Sequence, residues 1–311
     1  MSAETLPPLV ALVGPTAVGK TDLALALAER LPVEVVSADS RQVYRGMDIG
    51  TAKPSREELA RLPHHLVDIV EPDEPFTLAQ YQERAYAAIA DVLRRGRLPL
   101  LVGGTGLYIR AVMEGLKIPA VPPDEALRAA LFAEAERLGA EALHARLRQV
   151  DPLAAERIDH RNVRRVVRAL EVHAVTGQPI SALQERQPPP YRLLTVGLTM
   201  PRPQLYERVD ARVDRMVAAG LVEEVRGLLA RGYGPELPSM SGLGYREIGL
   251  HLRGELSLEA AVALVKSDTR KFIRHQYNWF SPTSAAIRWF DLAAGGAAPA
   301  REAIASFCAP S

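Results

Sequence analysis

The segment Gly14-Pro15-Thr16-Ala17-Val18-Gly19-Lys20-Thr21 constrains this chain more than any other. It fits G-x-x-x-x-G-K-[ST], a pattern whose meaning depends on a strand before it and a helix after it. Both flanks are present. Leu9 to Val13 is an apolar run with the length of a buried parallel strand. Asp22 to Arg30 is rich in strong helix formers. Glycines let such a loop wind tightly and turn its N–H groups toward an anion, and the helix N-terminus adds partial positive charge. Gly14, Pro15, Thr16, Ala17, Val18, Gly19, Lys20 and Thr21 are therefore the candidate diphosphate- or nucleotide-binding residues. Lys20 would reach a terminal phosphate and Thr21 would hold Mg²⁺. A glycine turn without a ligand is the alternative, and the complete motif in its full context argues against it.

The rest of the chain alternates strand and helix patterns. Pro32–Ser37 reads as a second strand and runs into Ala38, Asp39, Ser40, Arg41 and Gln42. In open α/β sheets ligands bind beyond the carboxyl ends of the strands, so Asp39 is expected to face the crevice of the glycine loop. A turn or cap role for Asp39 is the competing reading. Residues 46–54 (GMDIGTAKP) read as a long loop, His65–Val70 as a possible third strand, and residues 76–95 as a helix with Thr77 as cap and Gly96 as stop. Leu98–Val102 is a further strand that ends in Gly103 and Gly104. Many NTPases place a metal-binding Asp there. Alternation of this kind predicts an α/β fold, a P-loop NTPase-like doubly wound parallel sheet.

From Val121 only helical patterns follow, over roughly 124–138, 140–149 and 161–176, closed by Gln187 and the prolines after it. Residues 121–190 are expected to be an all-helical insertion domain, with 1–120 and 191–311 forming the catalytic core and its C-terminal helices. A strand at 193–199 resumes the sheet, residues 203–232 are helical with a break near Gly220, Ser241–Arg246 is a glycine turn, 257–280 a long helix, and Arg288–Asp291 a last short strand. The stretch 293–300 is an Ala/Gly-rich tail.

Composition narrows the function classes. The chain has 311 residues and a net charge of +1, so no global field draws it to nucleic acid or membrane, and a basic footprint has to be local. Its single cysteine, Cys308, excludes an internal disulfide and a multi-cysteine zinc site, and reads as an inert thiol in a loose tail. The residues before the first strand lack the charged head and long apolar core of a signal peptide, and no apolar run approaches a membrane span of roughly 18 residues. A cytoplasmic protein is expected, working as a monomer.

Local basic clusters do exist. Arg161, Arg164, Arg165 and Arg168 fall at i, i+3, i+4 and i+7, on one face of a helix, with Val163, Val166, Val167 and Leu170 opposite. This row is either a phosphate-backbone contact or a solvated face paired with acids from elsewhere. Lys266, Arg270 and Arg274 allow the same two readings, and Phe272, His275, Tyr277 and Trp279 beside them could stack on bases or pack in the interior. Arg212 lies between Asp210 and Asp214, which by itself suggests an ordinary surface pairing.

Several stretches together resemble one family. The glycine loop 14–21, Ser37–Tyr44, residues 46–54, Leu101–Tyr108, Arg164–Glu171 and Gly242–Ile248 are similar to the bacterial tRNA dimethylallyltransferases, also called tRNA isopentenyltransferases. The resemblance covers nearly the whole chain. It implies transfer of the dimethylallyl group of dimethylallyl diphosphate to the N6 amine of the adenosine 3′-adjacent to the anticodon (position 37) in tRNA, with diphosphate rather than ATP in the glycine loop. By the same resemblance Asp39 is the general base, and Thr16 and Arg212 are catalytic residues that align and neutralise the diphosphate, a task shared with Lys20, Thr21 and Mg²⁺. Asp39, Ser40, Arg41, Gln42, Thr105, Arg164, Arg165, Val166, Val167 and Arg168 match tRNA-binding positions. The target base has to leave its stack to react. Two departures stand out: one cysteine cannot build the C-terminal zinc finger of the eukaryotic members, and Arg274-His275-Gln276 replaces an expected Lys-Arg-Gln. Two other functions fit the motif: a small-molecule kinase using ATP, or a nucleotide-gated RNA-binding module.

Overall fold

A computed structural model describes residues 6–184 and 186–309. The first five and last two residues, at the outer ends of the expected catalytic core, lie outside that description. In chain order the elements are β1 (Pro8–Val13), α1 (Lys20–Ala28), β2 (Val33–Ser37), α2 (Arg56–Arg61), β3 (His64–His65), α3 (Leu78–Arg94), β4 (Leu98–Val102) and α4 (Gly106–Met113). Then come α5 (Glu125–Leu138), α6 (Ala140–Val150), α7 (Pro152–Arg157), α8 (Val163–Thr176) and α9 (Ile180–Leu183). The chain ends with β5 (Arg192–Thr199), α10 (Arg202–Ala218), α11 (Leu221–Ala230), α12 (Tyr245–Leu252), α13 (Leu258–Trp279), β6 (Arg288–Asp291) and α14 (Ala297–Cys308).

The six strands form one parallel sheet in the order β3-β2-β4-β1-β5-β6. Strand β1 is central, and Leu9 to Val13 are fully buried. Its alternate residues feed two cores. Val10 and Leu12 pack with α1, α10, α13 and α14, while Leu9, Ala11 and Val13 pack with α3 and α4. Helices therefore cover both faces, which is the doubly wound α/β arrangement the strand–helix alternation predicts. A third core joins Val43, Tyr44 and Met47 to α11 and α12 through Leu221, Val225, Tyr245 and Ile248.

Residues Glu114–Pro189 form a compact unit of their own, and the residues before and after them form the sheet-bearing unit. The helical unit is organised on Leu143, Leu147, Val166, Val167 and Leu170. Its two chain ends meet at an antiparallel bridge between Leu116 and Arg186 and an ion pair from Arg186 to Glu114 at 3.3 Å.

Several local expectations change. The expected strand His65–Val70 is only His64–His65, because Leu66 (φ 64°) and Asp68 (φ 55°) adopt left-handed backbone that breaks the extended run. Thr77 does cap α3, in a reciprocal box with Gln80. Helix α8 starts at Val163, where the Asn162 side chain caps it, so Arg161 lies outside the helix. The expected glycine turn before Arg246 leads directly into α12, and the Ala/Gly-rich tail is the start of α14. Cys308 accordingly ends a helix and packs on the first core, and burial raises its thiol pKa.

Candidate active site

Strands β1, β2 and β4 deliver three loops to one edge of the sheet. The first is the glycine loop. Gly14 (φ 142°) sits against β5, where a Cβ would come within 2.4 Å of the Leu198 carbonyl oxygen. Val18 is fully buried and anchors the loop in the core. Gly19 (φ 109°) is the N-cap of α1. The Lys20 Nζ donates to the carbonyls of Gly14 and Pro15 at 2.9 and 2.8 Å, so it folds over its own loop. The Thr16 N–H donates to Gln276 Oε1 at 2.8 Å.

The second loop carries Asp39, whose Oδ1 accepts from the Arg41 N–H at 2.8 Å. Asp39 lines two adjoining cavities. One, of about 370 Å³, also exposes Thr16, Lys20, Thr105, Arg212 and Tyr245. The other, of about 210 Å³, is lined by Ala17, Gly19, Thr21 and three arginines, Arg208, Arg212 and Arg215. These arginines fall at i, i+4 and i+7 of α10, on one face. Burial pushes the Lys20 ammonium down to about 8, against the attraction of Asp39 and with repulsion from Arg212. Burial also lowers the Arg212 pKa, with Asp39 opposing and Arg215 adding to the shift. Two desolvated cations beside one carboxylate, at the N-terminus of α1, form a site that an anion would relieve.

Arg212 is available because its neighbours are not. Asp210 pairs with Arg270 and Asp214 with Lys266, at 2.6 Å for the latter. The ordinary pairing suggested by the acids beside Arg212 is thus replaced, and Lys266 and Arg270 of the second basic run are structural partners of α10. Arg208 and Arg215 were not candidates from the sequence; their spacing from Arg212 is the signal that could have found them.

The third loop, Gly103–Gly106, is crowded. A Cβ on Gly103 would lie 2.1 Å from the Ala38 carbonyl oxygen, and one on Gly104 would lie 2.2 Å from Gln276 Nε2. The close approach of β2 and α13 explains glycine where other NTPases carry an acid. Gln276 is buried, and its Nε2 donates to the Gly104 carbonyl at 3.2 Å while its Oε1 holds Thr16. The stretch Arg274-His275-Gln276 gave no sign of this contact, because the partner Thr16 lies 260 positions away.

Ser40, Arg41, Gln42 and Thr105 meet at the same edge. The Ser40 N–H donates to Thr105 Oγ1 at 3.0 Å. Arg41 donates to the Pro238 carbonyl at 2.5 Å and to Ser241 Oγ at 3.2 Å. Gln42 donates to the carbonyls of Thr51 and Ala52 at 3.4 and 3.2 Å. Arg41 and Gln42 tie the second loop to residues 51–52 and 238–241, of which Thr51 and Ser241 line the larger cavity.

In the helical unit the arginine row is uneven. Arg161 pairs with Asp159 at 2.6 Å, and Arg168 with the buried Glu171 at 2.5 Å. Arg164 and Arg165 are exposed and have no acidic partner among the described residues. Val166 and Val167 are 0% and 2% exposed. Their side chains belong to the helical core, which corrects their expected place among residues that touch tRNA.

Mg²⁺ takes several ligands from phosphate and water. Among the described residues no group of three or more His, Cys, Asp or Glu has metal-holding geometry. The smaller cavity does offer oxygen donors suited to a hard ion that brings phosphate ligands: Thr21, Asp22, Asp39 and Gln42. Among the described residues no helix is long and apolar enough to cross a membrane.

The sequence pattern of the IPP transferase family matches residues 42–283, and that of the isopentenyl transferases matches residues 7–69. This chain belongs to the IPP transferase family. It is 60% identical over 273 residues to the tRNA dimethylallyltransferase of Roseiflexus castenholzii, covering 88% of this chain and 89% of that one. The tRNA dimethylallyltransferase of Thermomicrobium roseum is 53% identical over 289 residues, covering 93% and 88%. The crystal structure of the full-length tRNA isopentenylpyrophosphate transferase from Bacillus halodurans matches at TM-score 0.72 and 43% identity, over 97% of this chain and 96% of that one. A eukaryotic dimethylallyltransferase acting on tRNA matches at TM-score 0.78 and 25% identity, over 92% and 74%.

Proposed function

We propose that this IPP transferase family member moves the dimethylallyl group of dimethylallyl diphosphate onto the N6 amine of the adenosine 3′-adjacent to the anticodon in tRNA. One observation carries the reading. Asp39 faces the cavity and the cationic phosphate loop at once, in company with Thr16, Lys20 and Arg212. The amine nitrogen attacks the allylic carbon, forming C–N as C–O breaks. The electron pair leaves with the diphosphate, and the amine proton passes to the Asp39 carboxylate. Lys20, Arg212 and the loop N–H groups stabilise the charge that gathers on the departing oxygens, where fixed donors have most effect. Thr16 sits at the start of the loop and aligns the leaving group. Thr21 would hold Mg²⁺, which when bound would neutralise diphosphate charge.

Ser40, Arg41, Gln42 and Thr105 border the acceptor side, and Arg164, Arg165 and Arg168 are the proposed contacts to the tRNA backbone. The relatives' names, all for enzymes of tRNA, support the acceptor. On this reading the protein acts as a monomer in the cytoplasm. The test is incubation with unmodified tRNA, Mg²⁺ and labelled dimethylallyl diphosphate. Label is expected in tRNA, and Asp39→Asn should abolish transfer while tRNA still binds. ATP turnover without transfer would replace this reading with a kinase.

A further inference from the structure

Glu224, on α11, accepts four hydrogen bonds from outside its own helix. Its Oε2 takes the N–H groups of Asp48 and Ile49 at 2.9 and 2.8 Å. Its Oε1 takes the Gly50 N–H at 3.1 Å and the Tyr245 hydroxyl at 2.6 Å. Three successive backbone donors turned onto one carboxylate make the kind of nest that binds a free anion elsewhere. Here the anion is part of the protein. Gly50 is pressed against the Tyr245 ring, and a Cβ there would come within 2.4 Å of it. Lys53 closes the other end of the loop, donating to the Tyr44 carbonyl and to Asp48 and Asp68.

Gly50, Thr51 and Tyr245 line the 370 Å³ cavity. Arg41 and Thr105 line the same cavity. Val209, Val213, Met216 and Val265, from α10 and α13, supply an apolar side suited to a five-carbon allylic chain. We infer that Glu224 is a positioning residue, which fastens the 48–50 loop to Tyr245 and so fixes the wall against which the acceptor base docks. The inference rests on the transfer reaction proposed above, and it assigns Glu224 to use of tRNA rather than of the allylic diphosphate.

Glu224→Gln tests it. The amide keeps size but turns an N–H toward backbone donors that need an acceptor. A hydrogen bond to a charged group is typically worth more than a neutral one. With wild-type protein and the variant, three measurements separate the outcomes. Amide hydrogen exchange at Asp48, Ile49 and Gly50 should speed up in the variant. The KM for tRNA at saturating dimethylallyl diphosphate should rise about tenfold or more, and the KM for dimethylallyl diphosphate should stay within about twofold, as the loss of one charged hydrogen bond implies. Tyr245→Phe, which removes one hydroxyl donor and keeps the ring, should raise the KM for tRNA by about two- to tenfold.

Unchanged exchange at 48–50 overturns the clamp. Equal rises in both KM values, or a fall confined to kcat, overturn its assignment to the acceptor side. If Glu224→Gln fails to fold, Tyr245→Phe decides by the same KM comparison. If the wild-type protein transfers no label to tRNA, the proposed function fails, and exchange at 48–50 still reports on the clamp itself.

Discussion

The α8 row and the α10 row look alike as strings of arginines at helical spacing, yet they meet opposite fates. On α10 the intervening acids Asp210 and Asp214 are drawn away by Arg270 and Lys266 of α13, so Arg212 lines the cavity of the glycine loop with no salt-bridge partner among the described residues. Around α8 the acids are kept close. Asp159 holds Arg161, and Glu171 holds Arg168 together with Arg128. In the first row Arg212 is the desolvated cation, while Arg208 pairs with Asp22 at 3.8 Å and Arg215 is exposed; the second is an exposed pair, Arg164 and Arg165, between two neutralised ends. Charge spacing alone does not distinguish them, because the outcome depends on which carboxylates the fold brings near.

The sharpest way to break this contrast is to remove an acid that neutralises the α8 row. Glu171 is fully buried and takes bonds from Arg128, Arg168 and the Asp124 N–H. Glu171→Ala should destabilise the protein by about 3 kcal/mol or more, read by denaturant unfolding, because the Asp124 N–H and two partly buried guanidiniums lose their acceptor. The same carboxyl has a pH signature. Burial pulls its pKa up, but the bonds from Arg128, Asp124 and Arg168 overcome this, and the net shift is below the ordinary 4.5. A depressed carboxyl stabilises the fold above its unfolded value and loses that contribution as pH falls. Acid unfolding should therefore weaken the protein progressively below about pH 4.5, and Glu171→Gln should flatten the dependence there.

Next in size is the α10 row. Arg212→Ala should lower the rate of label transfer by about 10²–10³-fold, as expected for loss of one fixed donor to a developing anion. A defect confined to tRNA affinity would make α10 resemble the proposed role of α8. Smaller still is the exposed pair. Replacing Arg164 and Arg165 together with Ala should weaken tRNA binding and reduce the slope of log affinity against log salt by about 2. An unchanged slope would return the pair to plain surface charge. Arg161→Ala should be the least consequential, since Arg161 lies outside the helix and is bound to Asp159; tRNA binding measured by filter retention should match the wild type.

Much of the site was legible in the chain. The glycine loop, the strand before it and Asp39 beyond β2 carry local chemistry: tight turns, a strong anion motif and a strand end. Gly103 and Gly104 were visible as a departure from the usual acid, but the reason, backbone contact with β2 and with Gln276, was not. Glu224 gave no local sign at all, and Gln276 showed only as the matching residue of the Arg274-His275-Gln276 stretch, without its role. Their partners are Asp48 to Gly50 and Thr16, in segments that approach only once α11 and α13 dock. Val166 and Val167 illustrate the opposite error, a matched motif position whose side chains the helical core has already claimed.

By itself the amino-acid order determined the parallel sheet, the phosphate loop at its edge and the helical segment between β4 and β5, because periodicity and turn chemistry act over a few residues. Tertiary structure alone decided which arginines stay unpaired, which carboxylate pins the 48–50 loop and which glycines are obligatory. Those outcomes depend on distances between segments far apart in the chain, and electrostatic and steric energies are set by distance rather than by sequence separation.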